Sequence, residues 1–361
     1  MTVTRSVRSD SVRDQRIERL VPLITPQELF DELPLDESRT DVLLRGRSQA
    51  HAVLDRVDDR LLVVVGPCSV HDVKAVSEYA GRLAAEARRL SSDLLIAMRV
   101  YFEKPRTTVG WKGLINDPHL DGSFDVNAGL RIARQLMLEV LGVGLPIGVE
   151  FLDPITPQYI SDLVSWGAIG ARTTESQIHR QLGSGLSMPV GYKNRTDGNV
   201  QVAVDAVRAA AARHAFAGVD ADGRSAILHT RGNRDCHIIL RGGKAGPNYD
   251  ADSVAAAIEM LRAANLPARL MIDLSHDNSG KDPSRQPAVA QAVGEQLAQG
   301  NRAITGVMLE SFLVAGSQAP GPLQTLTYGQ SITDGCIGWD TTVEVLEGLA
   351  AAVRARREHA A

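Results

Sequence analysis

Arg99, Lys104 and Arg106 fall within eight residues, with Pro105 between two of them and Thr107, Thr108 and Gly110 behind. The apolar run Leu94–Tyr101 leads into them. Proline fixes φ, removes a donor and restricts the residue before it. A buried strand therefore ends here in a stiff, basic loop rich in hydroxyls. Such a loop suits anions, because an arginine fork matches phosphate or carboxylate. Each cation alone reads equally well as part of a solvated turn; three around one proline point to an anion site. Arg172, Lys193 and Arg241 follow other apolar runs. Six cations on one rim repel one another unless anions fill the site, and that number suits more than one anionic group.

Cys68, His276, Glu310 and Asp334 offer one thiolate, one imidazole and two carboxylates. That mixture suits a divalent transition metal such as Mn²⁺, Fe²⁺, Co²⁺ or Zn²⁺. The four are far apart in sequence, so they form no short metal motif. A lone cysteine after a strand is otherwise a small buried hydrophobe, and a lone histidine a hydrogen-bonded one. Asp334 and Cys336 are two apart and share a face of an extended segment, which puts Cys336 near Cys68.

The elements that must position these residues alternate. Strand-like runs are Leu61–Val65, Leu94–Tyr101, Ile147–Phe151, Ala168–Ala171, Met188–Lys193, His237–Leu240, Arg269–Asp273 and Thr305–Glu310. Helical spacing recurs between and after them, at Val73–Leu90, Val126–Leu141, Pro157–Trp166, Glu175–Leu182, Val200–Ala212, Ala251–Ala264, Arg285–Ala298 and Thr341–Arg354. Near-continuous apolar strands alternating with helices imply a parallel sheet covered on both faces. Eight units fit an α/β fold of the (β/α)₈ TIM-barrel type, whose active sites lie at the C-terminal ends of the strands. A doubly wound sheet is the rival. It does not demand eight units, and Gly66-Pro67-Cys68-Ser69 is no dinucleotide turn. In a barrel, strands one, seven and eight are neighbours, which brings the metal-type residues together. Residues 1–60 read as an N-terminal arm with two helices, Ile24–Leu33 and Asp41–Arg56. Residues 61–361 read as the barrel, with an inserted β-hairpin at about 214–231 built from Ala215–Val219 and Ser225–Thr230.

Composition narrows the class. The chain has 361 residues, is 44% hydrophobic and 23% charged, and carries a formal net charge of −4. This is an ordinary globular balance that points to neither nucleic acid nor an anionic membrane. Three cysteines suit a reducing compartment rather than a disulfide framework. No apolar run approaches the roughly 18 residues of a membrane span, and the first 20 residues lack a signal-peptide core. A cytoplasmic protein is expected.

The stretches GPCSVHD (66–72), MRVYFEKPRTTVGWKGL (98–114), GARTTESQ (170–177), PVGYKN (189–194), HIILRGG (237–243), MIDLSHDNS (271–279) and GVMLES (306–311) together resemble the type I 3-deoxy-D-arabino-heptulosonate 7-phosphate synthases. The resemblance runs from about Asp14 to the C-terminal region. It implies a metal-dependent barrel enzyme that condenses phosphoenolpyruvate with erythrose 4-phosphate, the first step toward the aromatic amino acids. Carried over, the metal ligands are Cys68, His276, Glu310 and Asp334. Phosphoenolpyruvate contacts are Arg99, Lys104, Glu150, Ala171, Arg172, Lys193 and Arg241, and the erythrose 4-phosphate site is Arg106 and Thr107. Lys104 is the first candidate general acid, its pKa expected to be lowered by cationic neighbours, and His276 a candidate for handling the proton of water. The resemblance also implies a homodimer or homotetramer inhibited by an aromatic amino acid. Positions matching the inhibitor pocket are Asp14, Ile17, Pro154, Gln158 and Ser187, with Pro154 favouring tyrosine. Arg195 stands where related sequences usually have glycine and adds a cation near the rim. An octulosonate 8-phosphate synthase, which takes arabinose 5-phosphate, is the nearest rival activity, though the Lys104–Thr108 loop favours the four-carbon sugar. A ligand-sensing barrel without catalysis is another rival; a metallohydrolase lacks its His-x-His after the first strand.

Overall fold

The computed structural model describes residues 13–360. In α1 (Pro26–Glu32), Thr25 and Glu28 form a reciprocal capping box and Pro26 takes the first turn. Asp36 caps α2 (Glu37–Leu54) through the Arg39 N–H. The helix buries Leu43, Gly46, Ala50, Val53 and Leu54. A Cβ on Gly46 would lie 2.7 Å from Ser165 Oγ and 2.8 Å from Pro146 Cβ, so only glycine lets the helix approach this closely.

The barrel follows. Its strands are β1 (Leu61–Gly66), β2 (Leu94–Arg99), β3 (Ile147–Glu150), β4 (Trp166–Ile169) and β5 (Val190–Lys193), then, after a hairpin of β6 (Ala215–Val219) and β7 (Ser225–His229), β8 (His237–Leu240), β9 (Leu270–Asp273) and β10 (Ile304–Glu310). They close in the parallel order β1-β10-β9-β8-β5-β4-β3-β2. Outside lie α3 (Val73–Arg89), α4 (Val126–Gly142), α5 (Pro157–Ile160), α6 (Gln177–Gly185), α7 (Gln201–Ala210), α8 (Ala251–Ala263), α9 (Gln286–Ala298) and α10 (Trp339–Ala360).

Successive strand side chains point to opposite faces. Leu62, Val64, Leu95, Ala97, Trp166, Ala168, Ile239, Met271 and Met308 fill the interior, packed with Ala50 and Val53 of α2. Helix α2 thus plugs the N-terminal end. Leu61, Val63, Val65, Leu94, Ile96 and Met98 face the other way and pack in a cluster with helix residues such as Val76, Leu83 and Leu136. Following the inward positions upward in steps of two reaches Arg99, Glu150, Gly170, Lys193, Arg241, Asp273 and Glu310. The apolar interior is therefore capped by one layer of charge at the C-terminal ends. At the opposite end Arg269 pairs with Asp55, and His51 Nδ1 lies 3.0 Å from Asp235 Oδ1, tying α2 to the strand bottoms.

The expected (β/α)₈ barrel, the two N-terminal helices and the hairpin are present, with most boundaries shifted by one to three residues. One expectation fails more widely. The predicted helix Pro157–Trp166 is a four-residue helix followed by the 3₁₀ turn Ser161–Leu163. By Ser165 the backbone N–H already donates to Ile147 O at 2.9 Å, and Trp166 is drawn into the interior as the first residue of β4. The last helix runs to Ala360, beyond the expected Arg354. The loop after β10 also holds β11 (Val314–Ser317) and β12 (Gln330–Ser331), which pair in parallel. The hairpin tip rests on α1, where Gln27 N–H donates to Ala221 O at 2.9 Å. Among the described residues no helix is long and apolar enough to cross a membrane.

Candidate active site

Cys68 follows β1, Glu310 ends β10, and Asp334 lies just beyond β12. The Cys68 sulfur and one oxygen each of Glu310 and Asp334 lie within 4.8 Å of one another. His276 Nε2 is 3.9 Å from Glu310 Oε1, so the fourth expected ligand borders the cluster. His276 has φ +54°, a left-handed conformation that a non-glycine residue holds only when its surroundings impose it. Gln286, at the start of α9, clamps the Glu310 backbone: its Nε2 donates to Glu310 O at 3.0 Å and its Oε1 accepts from Glu310 N–H at 2.9 Å.

These donors fit a divalent cation. Burial and neighbouring Glu310 push the Cys68 thiol up to about 12, so a thiolate there requires an adjacent cation. Burial opposes ionisation of Asp334, yet Lys104 and His276 hold its carboxyl down at about 2. Cys336 is buried beside the cluster as expected, with Cys68 N–H donating to its sulfur at 3.4 Å.

Lys104 is where an expectation reverses. Its Nζ lies 2.9 Å from Cys68 Sγ and 3.7 Å from Asp334 Oδ2. Burial alone would lower its pKa, but Cys68, Glu310 and Asp334 outweigh burial and nearby Arg99, and the ammonium is held above its usual range. The predicted lowering by cationic neighbours therefore fails, because the thiol and the two carboxylates around the nitrogen outweigh Arg99.

Arg99 ends β2 and stacks over Tyr101 at 3.8 Å. It donates to Glu310 Oε1 at 2.8 Å and to the Pro67 and Cys68 carbonyls, so it pins the metal-type half from the anion side. Lys193 Nζ lies 3.1 Å from Asp273 Oδ2 and 4.0 Å from Glu150 Oε2. Arg241 pairs with Asp277, while its buried Nε has no hydrogen-bond partner. Arg99, Lys104, Arg106, Glu150, Ala171, Arg172, Lys193, Arg241, His276, Glu310 and Asp334 line a single cleft, with Cys68 beneath Lys104. A Cβ at Gly170 would lie 2.6 Å from Glu150 Oε1, so glycine there leaves room for the carboxylate.

Two positions fall outside this group. Thr107 is exposed on the loop and does not line the cleft, although Arg106 does, its Nε donating to Trp111 O at 2.8 Å. Arg195 also turns away. It pairs with Glu175 at 2.8 Å and Asp197 at 2.7 Å, so it is a neutralised surface cation rather than an added charge on the cleft. Pro154 and Ser187 are exposed and Gln158 half-buried, on the segment after β3 and just before β5; Asp14 and Ile17 are exposed on the arm.

Sequence reasoning overlooked Gln286, Asp273 and Glu103. Asp273 and Glu103 stood inside quoted motifs, and for Asp273 the inward parity of its strand was the available signal. Burial and nearby Asp153 push the Glu103 carboxyl up to about 8. Glu103 accepts, at long range, from Thr156 Oγ1 (3.4 Å) and Asp153 N–H (3.5 Å). It thereby joins the basic loop to the segment carrying Pro154 and Gln158.

The sequence profile of the DAHP synthetase I family matches residues 43–347. The chain belongs to that family. It is 56% identical over 344 residues to the Phe-sensitive phospho-2-dehydro-3-deoxyheptonate aldolase of Escherichia coli K12, covering 95% of this chain and 98% of that protein. It is 51% identical over 350 residues to the tyrosine-inhibited enzyme of Schizosaccharomyces pombe, covering 96% and 94%. The solved structure of the phospho-2-dehydro-3-deoxyheptonate aldolase of Francisella tularensis SCHU S4 superposes with a TM-score of 0.93 at 49% identity, covering 94% of this chain and 99% of that one. The family's fold and the barrel derived above agree.

Proposed function

We propose that the chain is a metal-dependent 3-deoxy-7-phosphoheptulonate synthase, condensing phosphoenolpyruvate with D-erythrose 4-phosphate to give the seven-carbon phosphate and inorganic phosphate. The observation that carries this reading is one cleft where a thiol–carboxylate cluster meets buried cations, in a member of this family. The carboxylate and phosphate of phosphoenolpyruvate fit Lys104, Arg172, Lys193 and Arg241, with Arg99 and Glu150 framing the floor. Arg106 and Thr107 receive the phosphate of the sugar; the exposed Thr107 reaches it only if the loop folds inward. Holding both anions converts an encounter into a positioned reaction. A divalent cation on Cys68, His276, Glu310 and Asp334 would supply Lewis-acid polarisation of the aldehyde. Lys104, kept protonated by its anionic neighbours, is placed to give a proton to the oxygen that develops charge. Water adds at the second carbon of the phosphoenolpyruvate unit and phosphate leaves by carbon–oxygen cleavage. His276, with Nε2 toward the cation and Nδ1 toward Asp273, has no free nitrogen for the water proton, so ligation and not proton transfer is the role we assign it.

Feedback inhibition by an aromatic amino acid belongs to the same proposal, at Asp14, Ile17, Pro154, Gln158 and Ser187, with tyrosine favoured by Pro154. Relatives sensitive to phenylalanine and to tyrosine stand at 56% and 51% identity, so overall likeness does not choose the inhibitor. The Glu103 contacts to residues 153 and 156 support a route from this pocket to the substrate loop. We further propose a homodimer or homotetramer, supported by exposed Ile17, Leu20 and Val21 on the arm. The test is phosphoenolpyruvate consumption with erythrose 4-phosphate, against arabinose 5-phosphate as the rival substrate. Chelation should abolish turnover and Mn²⁺ or Co²⁺ restore it. Full activity of exhaustively metal-free protein, or preference for the five-carbon sugar, refutes the proposal.

A further inference from the structure

The carboxylate of Asp273, fully buried at the top of β9, accepts two hydrogen bonds on Oδ1, while Oδ2 lies against two nitrogens without an aligned hydrogen bond. Oδ1 accepts from Ser275 N–H at 3.0 Å and from Ser275 Oγ at 2.5 Å. Oδ2 lies 2.8 Å from His276 Nδ1 and 3.1 Å from Lys193 Nζ. Ser275 Oγ is also 2.8 Å from His276 Nδ1. The imidazole is thus gripped on its Nδ1 side, and Nε2 is left facing Glu310. A ring nitrogen that ligates a metal must be unprotonated, so the proton of a neutral, ligating His276 belongs on Nδ1. A carboxylate beside Nδ1 is the group that fixes this tautomer and ring orientation.

We infer that Asp273 is a positioning residue, holding His276 in the Nδ1–H tautomer with Nε2 turned to the Cys68–Glu310–Asp334 cluster while anchoring the Lys193 ammonium on the same oxygen. The metal-binding and anion-binding halves of the cleft then share one support. The inference rests on the proposed role of His276 as a ligand. Asparagine cannot replace the carboxylate. Its NH₂ would face Ser275 N–H and Oγ on one side, or Lys193 and the His276 N–H on the other, so one set of donors always meets a donor.

The experiment is titration of the full-length protein with Co²⁺ in the absence of substrates, comparing the parent with Asp273→Asn and His276→Ala. Circular dichroism and thermal melting establish that each variant folds. The Kd for Co²⁺ should rise about 10- to 100-fold in Asp273→Asn, the effect typical of losing a partner behind a ligand, and also rise in His276→Ala. Parent-like affinity in folded Asp273→Asn, with His276→Ala weakened, overturns the role of Asp273 alone. Parent-like affinity in His276→Ala overturns the ligand reading on which it rests. A second measurement needs no Asp273 variant: ¹⁵N-imidazole NMR of the Zn²⁺-loaded parent, with His276 assigned by its absence in His276→Ala. A proton on Nδ1 supports the inference, and a proton on Nε2 overturns it.

Discussion

Replacing Glu103 by glutamine should stabilise the protein at alkaline pH and leave it nearly unchanged at acid pH. Burial and Asp153 raise the folded-state pKa to about 8 from an unfolded value of 4.5. Below pH 4.5 both states carry the proton and the group contributes nothing. Between 4.5 and about 8 the unfolded chain releases the proton while the folded chain keeps it, so stability falls as pH rises. Above about 8 the folded state is ionised as well, and the loss has reached its full size. At ~1.4 kcal/mol per pH unit the gap corresponds to a ceiling on the order of 5 kcal/mol. Water penetration and side-chain relaxation reduce that ceiling to roughly 2–3 kcal/mol, as an effective dielectric near 20 implies. Glutamine keeps the shape, can accept from Thr156, and carries no charge to desolvate. At roughly 2 °C or less per kcal/mol for a chain of this size, the variant should melt a few degrees above the parent at pH 9. The assay is the difference in Tm between variant and parent from pH 5 to pH 9. A difference that stays flat across that range refutes the reasoning, because an uncharged packing effect would not follow the titration.

Lys104→Ala and Arg172→Ala should fail differently. Lys104 is buried against Cys68 and Asp334, so its loss should cut kcat about 10²- to 10⁴-fold, the range for a positioned proton donor. Arg172 is exposed on the cleft wall, and its loss should mainly raise the KM for phosphoenolpyruvate. Near-normal kcat in Lys104→Ala rules out the proton-donor role. Deleting residues 1–20 should leave kcat largely intact while removing inhibition by the aromatic amino acid; a truncated enzyme that stays fully inhibitable excludes the arm from that site.

The barrel was legible because its strands are buried on both faces and so read as unbroken apolar runs, such as Leu61–Val65 and Thr305–Glu310. The metal-type set was legible in part because Cys68, His276 and Glu310 lie at the C-terminal ends of β1, β9 and β10, which the closed order makes adjacent, whereas Asp334 comes from the loop beyond β12. The four-residue α5 was not. Pro157, Tyr159 and Ile160 have helical spacing whether or not the next residues leave the helix, and what ends it is the pull of Trp166 into the barrel interior. The state of Lys104 was hidden for a similar reason. Its neighbours in sequence are Arg99 and Arg106, whereas its neighbours in space are a thiol and a carboxylate 36 residues before and 230 residues after it. Arg195 was misread from the same kind of proximity, since Glu175 and Asp197 claim its guanidinium. Gln286 carries no motif, because its function is performed through two hydrogen bonds to the backbone of another residue.

The core and the charged rim occupy the same faces of the same strands, two residues apart, so neither can be misaligned alone. A slip of one residue in β9 would rotate Asp273 outward into the helix layer and turn Ile272 toward Lys193. An ionised carboxylate would then lie among apolar side chains, at a cost of several kcal/mol. The chemistry of the cleft thereby acts against alternative registers of the barrel. Single-residue insertions within β9 should be far less tolerated than insertions of the same size in the exposed loop between β11 and β12, where the chain has already left the barrel.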